Sequence, residues 1–571
     1  MRFFRIEGVM AGLGLVCAAT MAQAALTGTP SFRVRADLAA DLNVDLGWAA
    51  GLNERATVFA DQPFRVRLEL ERGAATPGTT GIILQYRRND EEDWVEVLAH
   101  DFPYPEAEEP RSPRVSVVRT PGYSHGEPTT DVLRGSIRPF AGGTGINLAG
   151  QAPAWTTVSG HLEIEWPVVV RRWVDDAVTN EEGDRFELRL ADGRGNPLPG
   201  QTVAKVTLAI HPGHVGGTFV ETPGRIGPWQ AANGDLYFVM EPAESSNLFM
   251  MIKSTDGGRT WREVDGANRP RTNDLESVDG HRVSDTIHLV HQVTRSVRHH
   301  TFRTSDHPTQ PDTWAVRDEL AASVRSIAQA VSLVVRSDLS LVSFFVGSTV
   351  HYAIRSPAGE WSADRPLDPS ETQILAGPQA VLGADDTVHL AYYRADGTLW
   401  YRRLLPNGSV TAAVRLADGA GMSRANYGSV LPLVYLPASD TAVVLYRLAE
   451  GRLWERRIAR GSAPTPAVAV TDRTVVQNAV DSQQAGADVV ADGENLHVLF
   501  IDETTRDIYS TDDRGGWQPS VRRVGEVDAA WVRGGLLRRQ NVKRTYGYIF
   551  DAGSGGGAGM NRFGEFEVGN E

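Results

Sequence analysis

At 571 residues, 41% hydrophobic and 22% charged, the chain is long enough for two or three folded domains and too apolar to be disordered. Its 57 Gly and 31 Pro favour tight turns over long helices, and a formal net charge of -14 argues against nucleic acid or an anionic membrane as its partner. A local cluster of arginines within an acidic surface can still take an anionic ligand.

The first element in chain order is a secretory signal over residues 1–24. Arg2 and Arg5 supply a positive start, Val9 to Thr20 a short apolar run, and Ala22-Gln23-Ala24 the small residues for cleavage before Ala25. Cys17, the only cysteine, falls inside this segment, so the mature chain is expected to lack disulfides and cysteine metal sites. The run is too short for a comfortable membrane span, and no later stretch approaches twenty apolar residues. A bacterial secreted or periplasmic protein with no transmembrane segment is expected.

Residues 25–212 show alternating strands without a regular repeat. Phe64 to Leu70 puts one apolar face inward and Arg65, Arg67 and Glu69 outward. Gly81 to Tyr86, Trp94 to Val97, Asp184 to Leu190 and Thr202 to Leu208 follow as further strands, and the pattern predicts an all-β accessory domain, a β-sandwich. This stretch resembles accessory modules of bacterial surface and phage proteins.

A repeat begins after Pro212. Asn233 to Val239, Asp386 to Tyr392 and Gly493 to Leu499 are copies of one turn-and-strand unit, each followed by a polar loop, a second strand and a Gly-containing turn. A period of about 50 residues predicts a β-propeller over residues 213–571. Seven blades are favoured, or six if the Gly-rich last unit leaves the ring.

Within the first unit, Ser254-Thr255-Asp256-Gly257-Gly258-Arg259-Thr260-Trp261 fits S-x-D-x-G-x-T-W, with degenerate copies ending at Trp314, Trp361 and Trp517. Asp256 can fold back on backbone N–H groups, Gly258 permits positive φ, and Trp261 can plug the space between neighbouring blades. The motif resembles the Asp box, or BNR repeat, of sialidases and other propellers. That resemblance implies a structural role for Ser254, Asp256, Gly258, Thr260 and Trp261, on the face away from the usual ligand site.

The opposite face carries the loops leading into each first strand and those joining second to third strands. They contribute Arg225, Arg295, Asp396, Tyr427, Arg447, Glu503 and Arg544, with His291, Tyr393 and Arg394 beside them. Arginine forks grip carboxylate or sulfate and tyrosines stack on sugar rings, so the expected partner is an acidic polysaccharide or glycoconjugate. Whether a reaction follows is open. The fold resembles that of seven-bladed ulvan lyases, which implies Arg394 neutralising a uronate while His291 or Tyr393 abstracts a proton. Arg225-Ile226-Gly227-Pro228 resembles the Arg-Ile-Pro signature of sialidases, interrupted by Gly227. No H-E-x-x-H or comparable metal spacing occurs, and neither metal nor cofactor is expected.

Overall fold

The computed structural model describes residues 29–570 except 37–39, 61, 73–80, 100–113, 136–138, 153–159, 172, 175–176, 179, 211–212, 217–223, 242–247, 266–268, 273–276, 294, 305–313, 325–330, 348, 372–374, 395, 420–432, 478–485, 540–542 and 553–560. The expected signal, residues 1–24, lies outside these. The chain divides into two compact units, Met1–His211 and Pro212–Glu571, and the described residues form strands and turns with no helix.

The first unit holds two six-stranded sheets. One has Phe64–Arg72 and Gly160–Val170 as antiparallel neighbours; the other is centred on Ile82–Arg88 and Arg185–Asp192. Val66, Leu68, Leu70, Ile164 and Trp166 from the first meet Leu84, Phe186, Leu188, Leu190 and Val206 from the second in one core. Alternation along Phe64–Arg72 separates two faces as expected, but its polar face does not meet water. Arg65, Arg67 and Glu69 are fully buried, which corrects their expected outward exposure. Arg67 donates to Glu163 (2.6 Å), Glu165 (2.8 Å) and the carbonyls of Leu42 (2.8 Å) and Thr130 (2.7 Å), so loops and paired charges cover this face.

The second unit is a run of up-and-down antiparallel sheets. Six are four-stranded, over 229–263, 278–323, 331–366, 375–417, 434–469 and 487–524; the last, over 532–570, has three strands. The innermost strands are Trp229–Gln230, Val278–Val283, Val331–Val335, Leu375–Leu382, Val434–Leu436, Ala487–Asp492 and Val532–Arg538. From the second sheet onward each adjoins the next, and the last adjoins the first. The first and second are linked where the Gly280 N–H donates to the Arg225 carbonyl (2.8 Å). The sheets therefore close on themselves as a β-propeller.

The start of this unit completes its end. His214 bridges to Arg562, Val215 N–H donates to the Asn561 carbonyl (2.8 Å), and Phe563 N–H donates to the Gly213 carbonyl (2.7 Å). Residues 213–215 thus cover the first three residues of the outer edge of Asn561–Asn570, which would otherwise present unpaired backbone groups. The Ser254–Trp261 turn, between the third and fourth strands of the first sheet, seals the same seam. Asp256 accepts from Ser254 Oγ (2.8 Å), Arg259 N (3.0 Å), Thr260 N (2.9 Å) and Thr260 Oγ1 (2.6 Å). Gly258 takes φ 97°, and Trp261 packs its ring between Phe238 and Phe563.

Candidate functional site

The free inner edges of the innermost strands must satisfy their own N–H groups. The second residues of these strands do so in series. Asp279 accepts from Leu333 N (2.7 Å), Ser332 Oγ from Ala380 N (3.1 Å), and Asp488 from Gly534 N (2.6 Å), each reaching the innermost strand of the next sheet. Arg225 belongs to this stitching. It chelates Asp279 through Nε (2.9 Å) and Nη2 (2.5 Å) and also donates to the Leu333 carbonyl (2.5 Å). Buried Asp488 has its carboxyl pushed up to about 6 by desolvation. Arg225 is therefore built into the ring at its channel, bonded to protein.

Arg394, Arg447 and Asp396 are similarly committed. Arg394 stacks on Trp400 (3.8 Å) and pairs with Glu371 (2.6 Å). Arg447 is buried, donates to the Val475 carbonyl (2.8 Å) and lies 3.7 Å from half-exposed Glu503. Asp396 closes its own turn by accepting from Thr398 N (3.0 Å) and Oγ1 (2.6 Å), bonds that hold its carboxyl below the usual range. Arg295 is exposed, and Tyr427 lies outside the described residues. Arg544 sits at the other end of the ring, beside the innermost hairpins, and pairs with Asp492. The three-stranded last sheet accounts for this correction: Lys543–Asp551 is its second strand, so Arg544 follows a hairpin and does not lead into the sheet.

His291 and Tyr393, the candidate bases, are fully buried between sheets. His300 accepts from Asp318 N (3.0 Å) through Nδ1, so its Nε2–H donates to His291 Nδ1 (2.8 Å). Phe249 stands edge-on to the His291 ring at 4.9 Å, and desolvation pulls the imidazole down to about 3. It is a neutral packing group with no solvent access. His288 and His299 form a second pair (3.2 Å), and His299 Nδ1 donates to Glu319 (2.6 Å).

A cleft of about 1210 Å³ opens between the first and last sheets, at the end that carries Ser254–Trp261. Three strand ends of three sheets and loops build it. Arg282 is the last residue but one of the innermost strand of the second sheet, Arg538 ends that of the last, and Arg539 follows; Trp229, Gln230 and Asn233 line the wall. Gln230 fixes the geometry by donating to the Arg538 carbonyl (2.7 Å) and accepting from its N–H (2.8 Å). Arg282 donates to the Gln230 carbonyl (2.9 Å), and Arg539 to the Gly257 carbonyl (3.0 Å) and Glu565 (2.9 Å). The lining thus holds three guanidinium groups against one carboxylate, Asp256, whose oxygens already accept four hydrogen bonds. This end was set aside in the sequence because propellers more often bind ligands at the other. The adjacent pair Arg538-Arg539, closing an innermost strand, was the signal that could have marked it.

No protein-family model matches the chain, and no curated protein does. Among solved structures it is similar to the BP39L lectin of Burkholderia pseudomallei, at 10% identity over 62% of this chain and 99% of that one, with a TM-score of 0.43. It is similar to a polysaccharide lyase described as an ulvan lyase, at 9% identity over 63% and 95%, TM-score 0.39. A third is the six-bladed β-propeller lectin of Aleuria aurantia, at 11% identity over 51% and 91%, TM-score 0.34.

Proposed function

We propose that this chain is an exported, seven-bladed Asp-box propeller preceded by a β-sandwich, and that it binds an acidic polysaccharide. The site assigned is the cleft between the first and last blades, in place of the channel mouth. The observation that carries this reading is the convergence of Arg282, Arg538 and Arg539 on one open cleft beside Trp229. Guanidinium forks suit carboxylate or sulfate, and an open groove admits a chain where a closed pocket admits only its end. No reaction is assigned: the groups nominated as bases, His291 and Tyr393, are buried, and Arg225 is bound to Asp279.

Binding of the mature protein to uronate or sulfated polysaccharides, with neutral glucans as controls, tests the proposal. Arg538→Glu should weaken binding to the acidic polymers at least about tenfold, the scale of one charge-assisted hydrogen bond with repulsion added, and raised salt should weaken it further. Equal binding of neutral and acidic polymers, or an unchanged affinity in Arg538→Glu, would overturn the assignment.

A further inference from the structure

In the first unit, the covered polar face of Phe64–Arg72 and Gly160–Val170 sets Glu69 directly opposite Glu163 in the antiparallel register. Two buried carboxylates in such a cross-strand pair repel unless a cation lies between them. Glu163 has one arginine, on one oxygen: its Oε2 accepts from Arg67 Nε (2.6 Å), while its Oε1 faces His161. Glu165 draws on Arg35, Arg65 and Arg67. Among the described residues, Glu69 has no arginine or lysine partner.

His161, fully buried on the same face, aims Nε2 into this gap. It lies 3.6 Å from Glu69 Oε1, 3.8 Å from Glu163 Oε1 and 3.9 Å from Asp131 Oδ1. All three distances exceed hydrogen-bond length, and neither ring nitrogen has a hydrogen-bond partner. A buried imidazole within ion-pair range of three carboxylates, yet beyond hydrogen-bond length of each, leaves room for a shared centre. Ions held by bonds of about 2.0–2.2 Å keep neighbouring donors about 3.0–3.6 Å apart, and the ligand atoms of Glu69, His161 and Glu163 already lie within 4.8 Å of one another.

The donors are held in place from behind. Ser31 N donates to Glu69 Oε2 (2.7 Å), Gly135 N to Glu69 Oε1 (3.1 Å), and Leu133 N to Glu163 Oε1 (3.1 Å). At Gly135 a Cβ would stand 2.1 Å from Glu69 Oε1, so only glycine lets the loop close down on that carboxylate. Backbone bonds of this kind orient carboxylate ligands and leave a second lone pair for a metal.

The geometry points to a divalent-cation site formed by Glu69, His161 and Glu163, with Asp131 as fourth donor at its rim. One imidazole nitrogen with carboxylate oxygens suits a first-row ion such as Zn²⁺ or Mn²⁺ better than Ca²⁺, which takes oxygen alone. The ion would join two strands of one sheet to the 127–135 segment that roofs them, a structural role. Asp131, with its side chain 30% exposed, is the path by which the ion enters. This runs against the sequence expectation of no metal, because the ligands come from positions 69, 131, 161 and 163, and no short motif contains them.

The test uses the full chain without a polyhistidine tag, stripped with chelator and dialysed against Zn²⁺ or Mn²⁺. Metal analysis should find one ion per chain, and the melting temperature of the first unit should rise with the ion and not with Mg²⁺. Glu69→Gln and Asp131→Asn keep side-chain shape and should weaken binding at least about tenfold. His161→Asn should abolish it, and if that variant fails to fold the other two decide. A wild-type chain that takes up no ion, or uptake unchanged in Glu69→Gln and Asp131→Asn, overturns the site.

Discussion

Trp261→Ala probes the seam of the ring. The indole is 1% exposed, with ring centroids 5.3 Å from Phe238 of its own sheet and 5.3 Å from Phe563 of the last. Its Nε1–H donates to the Gly258 carbonyl (3.0 Å). Removing a ring packed on both faces should cost about 3–5 kcal/mol, because the two sheets cannot collapse into the space without breaking their closure. Trp261→Phe keeps most of the apolar contact and loses the N–H donor, so it should cost about 1–2 kcal/mol. Urea unfolding followed by circular dichroism measures both. The transition of the second unit should move to lower urea while that of the first stays fixed, and the two are fitted separately since the chain divides into two compact units. A loss below about 1 kcal/mol for Trp261→Ala, or equal losses for the two variants, would refute the argument that the indole fills the seam.

Further predictions concern pH and export. Asp551 is fully buried, its Oδ1 accepts from Ala530 N (2.6 Å) and Trp531 N (3.0 Å), and desolvation pushes its carboxyl up to about 7. The folded state holds this proton above the unfolded value of about 3.9, so the stability it contributes is present below that value and falls as pH rises toward 7. Asp551→Asn keeps the neutral shape and both bonds, and should flatten the decline between pH 4 and 8 when urea midpoints are compared; an unchanged slope would count against a protonated Asp551. If the proposed export holds, protein recovered outside the cytoplasm should begin at Ala25, and N-terminal sequencing that returned Met1 would contradict cleavage after Ala24.

What could be read in advance divides by distance along the chain. The turn at 254–261 was legible because every partner of Asp256 lies within four residues of it, so the motif carries its own structure. The repeated strands were legible for the same reason, each unit being a local meander. Arg225 was not, since its partner Asp279 lies 54 residues on, in another sheet, and a lone arginine in a loop reads the same whether bound or exposed. Alternation in Phe64–Arg72 predicted two faces correctly but could not tell that the polar one is covered, because Glu163 and Glu165 come from nearly a hundred positions away. Arg544 was assigned to the wrong end because, among the described residues, the last sheet has three strands of its own and takes residues 213–215 at its edge.

That borrowing sets the order in which the second unit can be finished. The Asn561 side chain donates to the Gly216 carbonyl (2.9 Å) across 345 positions, so the strands that meet there leave the ribosome at opposite ends of the unit's synthesis. Until the last of them emerges, the first sheet waits with the Phe238 and Trp261 rings uncovered on one flank. Contacts of such long range close slowly and leave apolar surface open to association in the meantime. A truncation that removes only Asn561–Asn570 would therefore damage the earliest-made sheet as much as the latest, with a sticky open ring as its product.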